Sequence, residues 1–233
     1  MKDIPRQERL IFALDVPNAR EAKRYVELLG DSVSFYKIGL QLFTSSGYFE
    51  LLEWLLKKDK KVFADLKLFD VPETVRLAVR NLSASGAQFV TVHAGNHSIL
   101  EAACAEKGEL KILAVTVLTS LDQGDLRNLG FQSSVEEIVM SRAKSAREMS
   151  CDGVIASARE ARPLREELGE DFLIVCPGIR LEGKNDDQKR TTGVAEAFES
   201  GADYIVVGRP IRDASDPRLA AEEIHRQIAT AFE

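Results

Sequence analysis

The stretch KVFADLKLFDVPETVRLAVRNLSASGAQFVTVHA, residues 61–94, reads as a strand, a helix and a second strand. KVFADLKL (61–68) and FVTVHA (89–94) are short runs rich in β-branched, aromatic and aliphatic residues. Between them, PETVRLAVRNLSASG (72–86) repeats its apolar positions every three or four residues, the period of an amphipathic helix. Pro72 stands where that helix should start and Gly86 where it should stop, in keeping with proline's fixed φ and glycine's freedom.

The same unit recurs outward from there. LIFALDV (10–16), SFYKIGL (34–40), KILAVTV (111–117), GVIAS (153–157), FLIVCPG (172–178) and DYIVVGR (203–209) bring the strand candidates to eight. AREAKRYVELLG (19–30), YFELLEWLLKKD (48–59) and SVEEIVMSRAKSAREMS (134–150) are further amphipathic segments. Gly30, Gly169 and Gly201 fall at helix ends, and Pro217 near a helix start. Strict alternation of strand and helix predicts an α/β protein with a parallel sheet, and eight units predict a closed (β/α)8 TIM barrel. The competing fold is an open doubly wound sheet. In its dinucleotide-binding form it would carry GxGxxG after the first strand, and none is present. No linker or low-complexity run divides the chain, so residues 1–233 are expected to form a single barrel domain.

A net charge of -6 argues against a general nucleic-acid or acidic-membrane binder and favours a small soluble metabolite. No eighteen-residue apolar run occurs, and the five-residue run before Asp15 is too short for a signal-peptide core. A cytoplasmic location is expected. Cys104, Cys151 and Cys176 are far apart in sequence and odd in number, so they are read as reduced, mostly buried thiols. The three histidines form no HxH or HExxH pattern, and no metal is inferred. His93 should face the barrel mouth, as a ligand contact or as a satisfied structural histidine. His97 should begin a helix and His225 should lie in the C-terminal one.

Charges interrupt the strands where a core should be. Side chains alternate along a strand, so Phe63, Asp65 and Lys67 share one face while Val62, Ala64 and Leu66 share the other. The same parity turns Ile11, Ala13 and Asp15 inward from the first strand, and Phe35, Lys37 and Gly39 from the second. Three neighbouring strands thus converge Asp15, Lys37, Asp65 and Lys67 on the C-terminal mouth, with Asp70 just beyond. Alternating signs permit burial that isolated ions would not. The array is either a structural ion-pair network or a catalytic one, and the mouth of a barrel favours catalysis.

PGIR (177–180) and VVGRP (206–210) close strands seven and eight, where barrels commonly bind phosphate. Gly178 and Gly208 would let backbone N–H groups approach an anion, and Arg209 would add a bidentate cation. Two connections are long: 119–134 and the very polar 180–193, which is expected to act as a mobile lid.

These residues resemble the orotidine 5'-phosphate decarboxylase family, in its bacterial type. ALDV with Asp15, YKIG with Lys37, DLKLFDVPET with Asp65, Lys67, Asp70 and Thr74, VTVLTS with Thr119, PGIR with Arg180, NDDQ with Gln188 and VVGRPI with Gly208 and Arg209 follow the family's order from Leu10 to Ile211. The resemblance implies cofactor-free, metal-free decarboxylation of orotidine 5'-phosphate to uridine 5'-phosphate, in pyrimidine biosynthesis. It makes Lys67 the catalytic lysine within a network with Lys37, Asp65 and Asp70. Asp15 and Lys37 would hold ribose hydroxyls and Thr119 the pyrimidine, while Gln188, Gly208 and Arg209 would bind phosphate beside Arg180. A homodimer is also implied, with Asp70 and Thr74 reaching the partner's site.

Two other readings stand beside this one. Sugar-phosphate relatives on the same barrel, 3-keto-L-gulonate 6-phosphate decarboxylase and hexulose-phosphate synthase, share DxKxxD but use Mg2+ and need a carboxylate where this chain has Lys37. A non-catalytic phosphate-ligand binding protein would be expected to lack some of Lys37, Asp65, Lys67 and Asp70, and all four are present.

Overall fold

The computed structural model describes residues 2–179 and 192–232. The chain runs through β1 (Leu10–Ala13), α1 (Ala19–Leu29), β2 (Phe35–Gly39), α2 (Leu40–Phe43), α3 (Tyr48–Lys57), β3 (Lys61–Leu68) and α4 (Pro72–Ala84). It continues as β4 (Phe89–His93), α5 (His97–Ala105), β5 (Lys111–Val115), α6 (Gln123–Asn128), α7 (Val135–Glu148) and β6 (Gly153–Ile155). Then follow α8 (Ala158–Leu168), β7 (Leu173–Cys176), α9 (Val194–Glu199), β8 (Tyr204–Val207), α10 (Arg209–Arg212) and α11 (Pro217–Ala231). The eight strands pair in sequence order, all parallel, and β8 closes on β1. This is the (β/α)8 barrel that the alternation predicts.

Helix boundaries follow from local chemistry. Pro72 and Pro217 occupy first-turn positions of α4 and α11, where a missing N–H costs nothing. Ser134 and Ser157 each cap their helix by accepting from a backbone N–H, and a glutamate three residues on returns the bond to the serine N–H, which satisfies two otherwise orphaned donors. Gly30 and Gly169, with φ of 53° and 76°, end α1 and α8, a left-handed turn open to glycine at little cost. The connection 119–134 differs from a plain loop. It contains α6, capped by reciprocal Asp122 and Asp125 bonds, a turn of helix too short to show as periodicity.

Strand parity divides the core into two. Phe12, Tyr36, Ile38, Val62, Ala64, Val90 and Val92 face outward and join the helices in one large cluster. Ile11, Ala13, Phe35, Phe63, Phe89, Leu113, Val175 and Tyr204 face inward and fill the barrel. The rings of Phe35, Phe63, Phe89 and Tyr204 stack edge to face or tilted, with centroids 5.0 to 6.0 Å apart. Each such buried side chain contributes about 1.5–3 kcal/mol. The aromatic plug sits toward the strand N-termini and forms a buried apolar floor beneath the polar mouth.

One contact of the barrel wall depends on the absence of a side chain. A Cβ at Gly153 would lie 2.5 Å from the Cβ of Leu173 and closer still to its carbonyl oxygen, because the two residues are register partners across β6 and β7. Gly153→Ala is therefore expected to destabilise the fold by about 1–3 kcal/mol, seen as a lower urea midpoint at unchanged slope. Among the described residues no helix is long and apolar enough to cross a membrane.

Candidate active site

Asp15, Lys37, Asp65 and Lys67 meet at the C-terminal mouth, in alternating charge order. Lys37 Nζ lies 3.0 Å from Asp15 Oδ1 and 3.3 Å from Asp65 Oδ2, and Lys67 Nζ lies 2.8 Å from Asp65 Oδ1. Lys37 and Asp65 are buried, Lys67 is half-buried, and Asp15, just past the end of β1, is exposed. Gly39 ends β2 beside the array; a Cβ there would stand 3.2 Å from Lys37 Nζ, so the missing side chain keeps room around the ammonium.

Lys67 does not reach this position by simple alternation. It has φ of +48°, and the β3–β4 register shifts between Ala64, opposite Val90, and Leu68, opposite Val92. A bulge thus turns the strand just where Lys67 enters the site, as bulges do beside functional positions. A left-handed lysine costs on the order of 1–3 kcal/mol and needs its surroundings to hold it. Thr91, fully buried on β4, does this. Its Oγ1 accepts from the Lys67 backbone N–H at 2.9 Å and donates to Asp65 Oδ1 at 2.9 Å.

Burial alone would push the Asp65 carboxyl up, but Lys37 and Lys67, with hydrogen bonds from Lys67 and Thr91, hold it below its ordinary range. Burial alone would likewise lower Lys37, and the carboxylates of Asp65 and Asp15 outweigh that and raise it. The sign follows from which state binds protons more tightly. Asp65 contributes stability that is fully present above its ordinary value of 3.8 and is lost as pH falls through its lowered one. Lys37 contributes stability that is fully present below 10.5 and is lost as pH rises through its raised value. Between those limits the pair is charged and stabilising. His93 packs edge-on against Phe69, with ring centroids 5.7 Å apart, and burial with nearby Lys67 and Arg142 lowers its pKa, so the ring is neutral at pH 7.

The array lines a cavity of about 520 Å3, within the range of small-ligand sites. Its walls also include Thr119, Ser120, Pro177, Gly178, Gly208, Arg209 and Arg212. Ala13, Phe63 and Val206, from the inward-facing cluster, also line it. Ionic groups thus occupy one side, and glycines with two arginines another.

The family described as Orotidine 5'-phosphate decarboxylase / HUMPS matches residues 8–224. The orotidine 5'-phosphate decarboxylase of Methylococcus capsulatus is 59% identical over 233 residues, covering 99% of this chain and 96% of that one. The chain belongs to this family. Its similarity to the orotidine 5'-phosphate decarboxylase of Xanthomonas euvesicatoria is 53% identity over 227 residues, 97% of this chain and 93% of that one. The crystal structure of orotidine 5'-phosphate decarboxylase from Lactobacillus acidophilus superposes with a TM-score of 0.84 at 36% identity, covering 95% of this chain and 99% of that one.

Within the decarboxylase / HUMPS fold, most of the expected site residues come together. Asp15, Lys37, Asp65, Lys67, Thr119, Gly178, Gly208 and Arg209 all line the cavity. Asp70 and Thr74 do not join the array within one chain. Both are exposed, and the Asp70 carboxylate accepts the Val71 N–H at 2.7 Å. Arg180, Gln188 and most of the expected lid lie outside the described residues. Sequence reasoning missed Thr91 as a support, although it shares the inward parity of His93. It also missed Arg212, whose guanidinium donates to the Asp15 carbonyl at 2.9 Å and pairs with Asp213. Its signal was position, one helical turn beyond Arg209.

Proposed function

We propose that this chain decarboxylates orotidine 5'-phosphate, the activity its relatives are named for, and so forms uridine 5'-phosphate. The observation that carries this reading is the alternating Asp15–Lys37–Asp65–Lys67 array opening onto the cavity. Loss of CO2 from C6 leaves an electron pair in an in-plane orbital that the ring π-system cannot absorb, so an external cation must stabilise it. Lys67 supplies that cation and then the proton, and water restores the ammonium. Asp65 stands as a fixed anion where the substrate carboxylate docks, a repulsion relieved as CO2 departs. Asp15 and Lys37 take the ribose hydroxyls and Thr119 the pyrimidine. Gly208 and Arg209, with Gln188 and Arg180, take the phosphate.

The sugar-phosphate alternative fits less well. A Mg2+ site needs carboxylates that converge on open space, whereas the Lys37 ammonium already bridges Asp15 and Asp65. We further propose one barrel domain, a cytoplasmic enzyme of pyrimidine biosynthesis, and a homodimer in which Asp70 and Thr74 complete the partner's site. Support for the dimer comes from Phe69 and Val71, which flank Asp70 and are 64% and 62% exposed, an apolar pair more readily covered than left in water.

The test is the loss of orotidine 5'-phosphate absorbance with purified protein in EDTA. Turnover is expected. No turnover there, with turnover of a keto sugar acid phosphate once Mg2+ is added, would overturn the proposal. Thr91→Val keeps the shape but leaves the Lys67 N–H without its acceptor, a loss of about 1–3 kcal/mol. It should lower both the urea midpoint and kcat, while Thr91→Ser should restore most of each.

A further inference from the structure

Two of the three cysteines, 47 residues apart in sequence, lie side by side: Cys104 Sγ is 3.6 Å from Cys151 Sγ. Cys104 lies in the last turn of α5 and is partly exposed. Cys151 follows α7, two residues before β6, and borders a second cavity of about 400 Å3 with Lys2, Lys111 and Arg147. This is the end of the barrel where strands begin, opposite the mouth.

The two thiols differ in exposure, Cys104 being partly exposed and Cys151 buried. The hydrogen bond it shares with Cys151, and then the charge of Lys107, lower the Cys104 pKa against its burial. The hydrogen bond to Cys104 and burial raise that of Cys151. Lys107 is held in place by Asp152 Oδ2 at 2.8 Å and the Ser150 carbonyl at 2.9 Å. An accessible thiol in contact with a sheltered one, with a lysine nearby, is the arrangement of an attacking and a resolving cysteine. Cys176 is fully buried in β7, and burial pushes its thiol up, which leaves it inert.

We infer that Cys104 and Cys151 form a peroxide-responsive thiol pair that closes to a disulfide and staples α5 to the entry of β6. The Cys104 thiolate attacks one peroxide oxygen, the O–O bond breaks, and hydroxide leaves as water after taking a proton. Cys104 is then a sulfenic acid. The Cys151 sulfur attacks the Cys104 sulfur, the S–O bond breaks, and the oxygen leaves as water with the Cys151 proton. Two thiols lose two electrons in all, and one peroxide gains them. Closing the sulfurs from 3.6 Å to a bond of about 2.05 Å is a small movement. The bridge encloses β5, α6 and α7, so it restrains a long segment of the unfolded chain. Because it lies at the far end of the barrel, it acts on stability and leaves turnover unchanged.

The test oxidises the purified protein with hydrogen peroxide and compares it with dithiothreitol-reduced protein by alkylation, peptide mapping and thermal unfolding. A Cys104–Cys151 peptide is expected, with Cys176 alkylated only after unfolding. The Tm should rise by about 5 °C or more. In Cys151→Ser, Cys104 should stop at a sulfenic acid trapped by dimedone, with no rise in Tm. Over-oxidised or unreacted Cys104 in the wild-type protein would overturn the pairing, and a bridge that leaves Tm unchanged would overturn the staple. Both readouts are independent of decarboxylation.

Discussion

Lys67→Ala is expected to lower kcat by about 10⁴-fold or more while the protein remains folded. The substitution removes both the cation that faces the developing carbanion and the proton source, and each such role is worth on the order of 10²–10⁴ in rate. The fold should survive because Asp65 is not left alone. Lys37 remains 3.3 Å from one carboxylate oxygen and Thr91 still donates to the other at 2.9 Å. Alanine inherits the same left-handed backbone, so no strain is released that would confuse the result. Circular dichroism and the urea midpoint check the fold, and loss of orotidine 5'-phosphate absorbance checks the chemistry. Activity within tenfold of wild type would remove Lys67 from its proposed role.

Arg209→Ala should reduce kcat/KM for orotidine 5'-phosphate by roughly 10²–10³-fold, the usual cost of deleting one partner of a desolvated charge pair. Arg209 lines the cavity beside Gly208 and Arg212, just past the end of β8, so its loss removes no member of the Asp15–Lys37–Asp65–Lys67 array. The energy it contributes is bound far from C6 and expressed there through positioning. Two further results follow. Added guanidinium should restore part of the activity, and orotidine lacking the phosphate should be turned over equally by variant and parent. A variant with near-normal kcat/KM would rule out the phosphate assignment.

Much of the site was legible because it rests on period. Parity placed Phe35, Lys37, Phe63 and Asp65 on the inner wall, and the structure puts them there, since a strand can turn only every second side chain inward. Parity also pointed Lys67 to the mouth, but for an incomplete reason. Its direction comes from a bulge and a φ of +48° held by Thr91, and nothing in KVFADLKL announces an irregular strand. Asp70 is expected just past the array, reaching the partner's site, and within one chain it does lie outside the array, where its carboxylate accepts the neighbouring N–H.

The amino-acid sequence by itself determined the eight strand and helix units, their parallel order and the inward set of charges. All of these are consequences of spacing between near neighbours along the chain. Only the tertiary structure decided which distant residues meet. Lys37 comes to lie between Asp15 and Asp65, Thr91 comes to support Lys67, and Cys104 comes to lie against Cys151. Barrel closure brings strands together at a register set by the packing of the whole wall. Contacts across that wall are fixed by many side chains at once, and no local period records them.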